Sequence, residues 1–178
     1  MKSKSRLVYM NGNFVPESQA KVSIYDSSLM FGDMIFEMTR SFNKKHFMLR
    51  EHIDRLFVGL KILRIDINMT KEEIYKTCLE TAKRNEHLFE KDDEHRLMID
   101  ISRGVLGTYE GIKDIHRGPN VIIADFPLKW TVRGMGKLFE TGINAVITSQ
   151  RVIPSHLMDP KIKNRSRLFY LMANIEAS

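Results

Sequence analysis

The turn pair Asn11-Gly12, set between the extended runs Leu7-Val8-Tyr9-Met10 and Asn13-Phe14-Val15, constrains the chain more than any other feature. A two-residue turn whose members tolerate positive φ, flanked by strand-forming residues, predicts a tight antiparallel hairpin. The chain therefore begins with two paired strands. Ile35 to Phe42 and His46 to Leu49 read as a second pair, joined by the polar turn Asn43-Lys44-Lys45. Arg96 to Arg103 and Val121 to Phe126 are β-rich runs separated by the Gly-containing loop Gly104 to Gly118, and Ile143 to Gln150 reads as one more strand.

Two helices interrupt the strands. Ile53, Leu56, Phe57, Leu60 and Leu63 form one apolar stripe, and Thr70-Lys71-Glu72-Glu73 is a capping box ahead of Ile74, Cys78 and Leu79. The fold class that follows is α+β: an antiparallel sheet with two helices on one face over residues 1–126. The Pro-, Gly- and base-containing stretch 127–136 reads as an interdomain linker, and 137–178 as the incomplete beginning of a second, β-rich α/β domain. From about Arg165 onward, Leu168, Leu171, Met172 and Ile175 recur with helical spacing and predict an apolar stripe laid against a core. No Gly, Asn or Pro stop signal follows before Ser178, so the chain reads as the front part of a longer protein.

Composition narrows the classes. At 43% hydrophobic and 28% charged over 178 residues, the chain has ordinary globular composition, which argues against disorder. Its one cysteine, Cys78, cannot form an internal disulfide and lies on a helical pattern, so it reads as a buried structural thiol in a reducing compartment. The basic start Met1 to Arg6 is not followed by an apolar run of signal-peptide length, and no run reaches the length of a membrane span. A cytoplasmic protein is expected. The net charge of +6 is spread without interleaved aromatics, which favours small anionic substrates over nucleic acid. His46, His52, His87, His95, His116 and His156 show no paired ligand spacing, so no metal is expected.

Lys163, in Asp159-Pro160-Lys161-Ile162-Lys163-Asn164-Arg165-Ser166-Arg167-Leu168, is the residue with most chemical promise. The alternation of Lys161, Lys163, Arg165 and Arg167 reads equally as a solvated face or a phosphate-binding edge. A lysine that forms a Schiff base needs a pKa lowered by desolvation and neighbouring cations, and rigid support at the start of a packed helix. The surroundings of Lys163 offer the ingredients for both.

Six stretches in order resemble the class IV aminotransferases. They are Asn11-Gly12, Asp26-Ser27-Ser28-Leu29-Met30-Phe31-Gly32-Asp33, Phe36-Glu37-Met38-Thr39-Arg40, Glu51-His52-Ile53-Asp54-Arg55-Leu56, Ser102-Arg103-Gly104, and Ile162-Lys163 through Ala173-Asn174-Ile175-Glu176-Ala177. The resemblance implies a pyridoxal 5'-phosphate enzyme of fold type IV, whose second domain is a pseudo-barrel. It implies Lys163 as the Schiff-base lysine and proton shuttle, and Arg55 as the cofactor-phosphate ligand; read without it, Arg55 is a helix-surface arginine paired with Glu51. It also implies substrate-pocket positions at Phe31, Phe36, Arg40 and Arg96, with Arg96 receiving a distal carboxylate. Phe36 and Arg40, four apart on a strand, share one face.

The closest subfamily pattern is the branched-chain aminotransferase. That type moves an amino group between a hydrophobic L-amino acid and 2-oxoglutarate, as a homodimer with pocket residues crossing the interface. Met38 stands where the related aminodeoxychorismate lyase carries threonine, and Arg40 where D-amino acid aminotransferases tend to carry lysine. Against that, Phe31 replaces a tyrosine, Glu94 and Leu97 replace the tyrosine and proline usual around Arg96, and Ile162-Lys163 with Arg167-Leu168 is closer to the lyase and D-specific pattern. The carboxylate for the pyridine nitrogen and the amides completing the phosphate cup belong, by resemblance, beyond the lysine, so the chain alone is expected to be inactive. The alternatives are a lyase or D-amino acid aminotransferase of the same fold, and a non-catalytic fragment or anion-binding module using Lys161 to Arg167.

Overall fold

A computed structural model describes residues 5–178; the basic start at Met1 to Lys4 lies outside the described residues. Strands β1 (Leu7–Met10) and β2 (Asn13–Pro16) form the expected hairpin, with Val8 opposite Val15. Asn11 and Gly12 turn between them at φ 50° and 92°, the sign a two-residue hairpin turn demands. A short helix α1 (Ser27–Phe31), capped by the Asp26 carboxylate on the Ser28 N–H, leads into β3 (Met34–Phe42) and β4 (Lys45–His46). Helices α2 (Leu49–Leu63) and α3 (Lys71–Asn85) follow, then β5 (His95–Ser102) and β6 (Asn120–Pro127). Helices α4 (Leu128–Met135), α5 (Leu138–Thr141) and α6 (Leu168–Ala177) complete the α-helices of the described residues.

The strands make one antiparallel sheet in the order β2-β1-β6-β5-β3-β4. Its inward register, Ile35, Leu97, Ile99, Ile101, Val121 and Ile123, packs on Ile53, Leu56 and Leu60 of α2 and on Ile74 and Cys78 of α3. The α+β class is as the sequence implies. Thr70 and Glu73 close the capping box reciprocally, and burial pushes the Cys78 thiol up, leaving it an inert core group.

Four local expectations are corrected. The hairpin after β3 turns on two residues, Asn43 and Lys44 at φ 50° and 62°, and β4 is two residues long. Met48 in the left-handed region at φ 49° swings the chain into α2 at Leu49. Leu79 is exposed, because a residue five beyond Ile74 lies about 140° round the helix at 3.6 residues per turn. The buried line of α3 runs instead through Ile74, Cys78, Thr81, Ala82 and Asn85. Residues 143–150 form no strand; Ile147 is 99% exposed, and the Ser149 N–H is taken by the Glu176 carboxylate at 2.7 Å instead of by a neighbouring strand. Lys163 does not open a helix: α6 begins at Leu168, and its stripe of Leu168, Leu171, Met172 and Ile175 is exposed among the described residues. Apart from these corrections, the stretch 127–136 holds the last residue of β6 and then α4.

One polar cluster sits inside the helix-covered side. His95 places Nδ1 2.8 Å from Asp125 and Nε2 2.6 Å from Glu86, with His95 and Asp125 both buried. Burial alone would push His95 down, but the two carboxylates more than reverse it; burial pushes Asp125 up against the attraction of the imidazole. Both directions describe one proton held tightly between the pair. His95→Leu strands the Asp125 carboxylate without a cation and is expected to cost about 3–5 kcal/mol, read as a lowered midpoint in thermal or urea unfolding at neutral pH.

Candidate active site

Strand β3 serves two surfaces by simple alternation. Ile35 and Glu37 face α2, while Phe36, Met38 and Arg40 face the other way, paired across the sheet with Asp100, Met98 and Arg96 of β5. The segment carrying Lys163 is fastened to this second surface. The Phe36 N–H donates to the Lys163 carbonyl at 2.9 Å, and Arg165 donates to Asp100 from Nε and Nη2 at 3.0 and 2.8 Å. Three cations converge on the Phe36 ring: Lys163 Nζ at 4.6 Å, Arg165 at 4.2 Å and Arg167 at 5.3 Å from its centroid. The negative face of the ring partly offsets their mutual repulsion.

On the helix side, Glu37 meets α2. Its carboxylate, 1% exposed, accepts Nε and Nη2 of Arg55 at 2.5 and 2.7 Å and lies 2.8 Å from His52 Nδ1. His52 and Arg55 are three apart, hence on one helix face. The partner of Arg55 is therefore Glu37 and not Glu51, and His52, expected to face elsewhere on the helix, shares that carboxylate with it. Burial pushes the Glu37 carboxyl up; the hydrogen bonds and charges of Arg55 and His52 reverse that and hold it below the ordinary range.

Arg55 and Lys163 line one cavity of about 660 Å³, together with Val58, Asn164, Arg167 and Tyr170. Burial lowers the Lys163 pKa first; Glu37 opposes, and Arg55, Arg167 and Arg165 lower it further. The result is an amine more readily neutral than an ordinary lysine, beside a guanidinium fork suited to an anion. This is what a lysine nucleophile and a phosphate ligand require. A second cleft, about 710 Å³, is lined by Lys44, His46, Lys83, Glu86 and His95 and shares no lining residue with the first.

The other expected residues are placed as follows. Arg40 stacks on Phe42 at 4.2 Å and donates to the Ser41 carbonyl at 3.2 Å; Arg96 lies opposite it, 2.8 Å from Met38 Sδ and donating to Thr131 of α4. Neither lines the cavity. Phe36 lies against Lys163, and Phe31 is exposed at the end of α1. The neighbouring Gly32, at φ 69°, approaches the Lys163 segment so closely that a Cβ there would stand 2.3 Å from Ser166 Oγ. Glu37 and Asp100 are site residues that sequence reasoning missed. Their signal was charge within apolar strand runs, Ile35-Phe36-Glu37-Met38 and Met98-Ile99-Asp100-Ile101.

Comparison with known proteins bears on the same residues. The family model for amino-transferase class IV matches residues 34–178. A Methanocaldococcus jannaschii protein provisionally named a branched-chain-amino-acid aminotransferase is 36% identical over 173 residues, 96% of this chain and 55% of that protein. A D-alanine aminotransferase of Staphylococcus epidermidis is 37% identical over 78 residues, 44% of this chain and 28% of that enzyme. The crystal structure of a branched-chain aminotransferase from Thermoproteus uzoniensis with norvaline superposes with a TM-score of 0.76 at 26% identity, covering 97% of this chain and 56% of that one. The chain thus spans about half the length, or less, of these relatives.

The electrostatics of the cavity can be tested on the protein alone. Arg167 is an exposed cation that helps to lower Lys163. Arg167→Gln removes that repulsion, so the Lys163 pKa should rise and its labelling by an amine-selective reagent, followed by peptide mass spectrometry, should shift to higher pH. An unshifted profile would deny the coupling.

Proposed function

Because the chain belongs to the class IV aminotransferases, we propose that it carries the lysine and one phosphate ligand of a pyridoxal-phosphate-dependent aminotransferase. In this reading, the whole protein moves an amino group between a hydrophobic, branched-chain L-amino acid and 2-oxoglutarate. The observation that carries the reading is the cavity shared by Lys163, its amine pushed toward neutrality, and the half-exposed Arg55 fork. The residues present fit the group: a nucleophilic amine for an aldehyde, and guanidinium groups of Arg55 and Arg167 for a phosphate.

Bound there, pyridoxal phosphate supplies the electron sink that stabilises negative charge at the substrate Cα. The residues of this chain would take the following parts. Lys163 would hold the aldehyde through Nζ and, when freed by the substrate amine, would serve as the base that carries the proton from the substrate Cα to C4′ of the cofactor. Arg55 orients the phosphate. Phe36 packs against the Lys163 stem and excludes water from one side. Arg40 and Arg96, adjacent on the same sheet surface, are the proposed carboxylate anchors, and Phe31 a pocket wall supplied near or across a homodimer interface.

The branched-chain assignment is supported by a relative that matches nearly the whole chain. The D-specific reading is supported by a match over 78 residues and by the Ile162-Lys163 context. We further propose a cytoplasmic homodimer and a division into an N-terminal domain at 1–126, a linker at 127–136 and the beginning of a cofactor-binding domain at 137–178. No helix among the described residues is long and apolar enough to cross a membrane.

Incubation with pyridoxal phosphate and then borohydride should leave a reduced adduct on Lys163, mapped by peptide mass spectrometry and absent in Lys163→Ala. Adduct formation unchanged by Lys163→Ala would sink the assignment. Salt-sensitive retention of nucleic acid without cofactor uptake would favour the anion-binding module instead. In the whole protein, amino transfer from L-leucine in preference to D-alanine separates the two transaminase readings.

A further inference from the structure

Arg55 is held in an arrangement that electrostatics alone would disfavour for an anion ligand. A carboxylate, buried and ionised, occupies one edge of its guanidinium. That negative charge repels any phosphate brought to the other edge, so its presence needs a compensating purpose. The geometry supplies one. Helix α2 lies so close to β3 that a Cβ on Gly59, one turn after Arg55, would stand 1.7 Å from Ile35 Cδ1. Glu37 is thereby brought against the helix, where it takes both Nε and Nη2 of Arg55 and is steadied by His52.

An arginine whose side chain is 50% exposed would otherwise sample many rotamers. Two parallel N–H···O bonds fix the plane of the fork and leave Nη1 outside the pair, on a side chain that lines the cavity. We propose that Glu37 is a positioning residue, which fixes Arg55 through its Nε and Nη2 edge so that the Nη1 edge is presented to a phosphate monoester dianion beside Lys163. This rests on the reading of Lys163 and Arg55 as the aldehyde and phosphate ligands.

The two effects of Glu37 have opposite signs, which makes the idea decidable. As a charge it weakens anion binding; as an anchor it strengthens it. Glu37 also opposes the neutral form of Lys163, so its loss leaves the aldehyde reaction unharmed or improved. Glu37→Gln keeps the size but replaces one of the two acceptor oxygens by an NH2 donor, and Glu37→Asp keeps the charge but withdraws it by one methylene. Arg55→Lys keeps the cation and removes the fork.

The test titrates the 178-residue chain and these variants with pyridoxal phosphate and with pyridoxal, which lacks the phosphate, following absorbance and confirming the fold by thermal melting. The expected result is pyridoxal phosphate weakened about tenfold in both Glu37 variants, with pyridoxal changed by less than about twofold, as loss of a fixed bidentate contact implies. In the Arg55→Lys background, Glu37→Gln should add nothing further. Equal or tighter pyridoxal phosphate binding in Glu37→Gln, or native affinity in Glu37→Asp, would overturn the inference alone. So would parallel loss of both ligands, or two unfolded Glu37 variants, since either makes the role purely structural. No pyridoxal phosphate binding by the unaltered chain would overturn the underlying reading and this inference with it.

Discussion

The two-residue period of β3 is the constraint to which the candidate site is referred. A strand sends successive side chains to opposite faces, so Ile35 and Glu37 belong to the helix-covered side and Phe36, Met38 and Arg40 to the other. A slip of one residue would exchange the two sets, placing Phe36 under α2 and Glu37 beneath Lys163. The register is fixed on one side by seven Cα pairings with β5, from Met34–Ser102 to Arg40–Arg96. On the other side, β4 pairs only with Ser41 and Phe42, so the Phe36 N–H is left to donate to the Lys163 carbonyl. One strand thus sets the core, the Arg55 anchor and the position of the lysine.

The charges near Lys163 would not assemble unaided. Lys163, Arg165 and Arg167 surround one phenyl ring, and Arg55 lies across the cavity. Asp100 and Glu37 are the fixed anions that hold two of these four cations. Burial pushes Asp100 up, and Arg165 pulls against it by charge and by hydrogen bonds without fully restoring it. Repulsion among the remaining cations is relieved in two ways, by loss of the Lys163 proton or by arrival of an anion. Both are what aldehyde capture beside a phosphate needs, and neither requires a special geometry beyond the converging chain segments.

What was legible in the sequence divides along the range of the interactions. The Asn11-Gly12 turn, the Thr70–Glu73 box and the stripe of Ile53, Leu56 and Leu60 depend on residues within a few positions, and they stand nearly where the pattern puts them. Strands β5 and β6 differ from expectation by about a residue at their ends. The run 143–150 has a strand's composition but not a strand's neighbour, and composition cannot reveal that. Lys163 and Arg55 stood out through the order of several short stretches, not through any local pattern. The Glu37 partnership was illegible because it joins residues 18 apart through the approach of α2 to β3, and only the charge in an apolar run hinted at it.

The exposed stripe of α6 shows how differently the two ends of the lysine segment are secured. Toward β3, a backbone hydrogen bond, an ion pair in which two Arg165 nitrogens donate to one oxygen of Asp100, and ring contacts at Phe36 tie residues 163–165 to a buried sheet. After Arg167, α6 begins without a side-chain cap, and none of its residues is buried. Glu176 binds the N–H and hydroxyl of Ser149, a contact between two exposed segments. Exposed polar contacts contribute little net stability, whereas burial of an apolar stripe contributes most of a helix's hold on its fold. The position of the Lys163 amine is therefore set by β3 and β5 and not by the helix that follows it, so disturbance of α6 need not carry through to the lysine. The site's precision lies in the sheet, and Phe36, Glu37 and Asp100 are the residues through which it is transmitted.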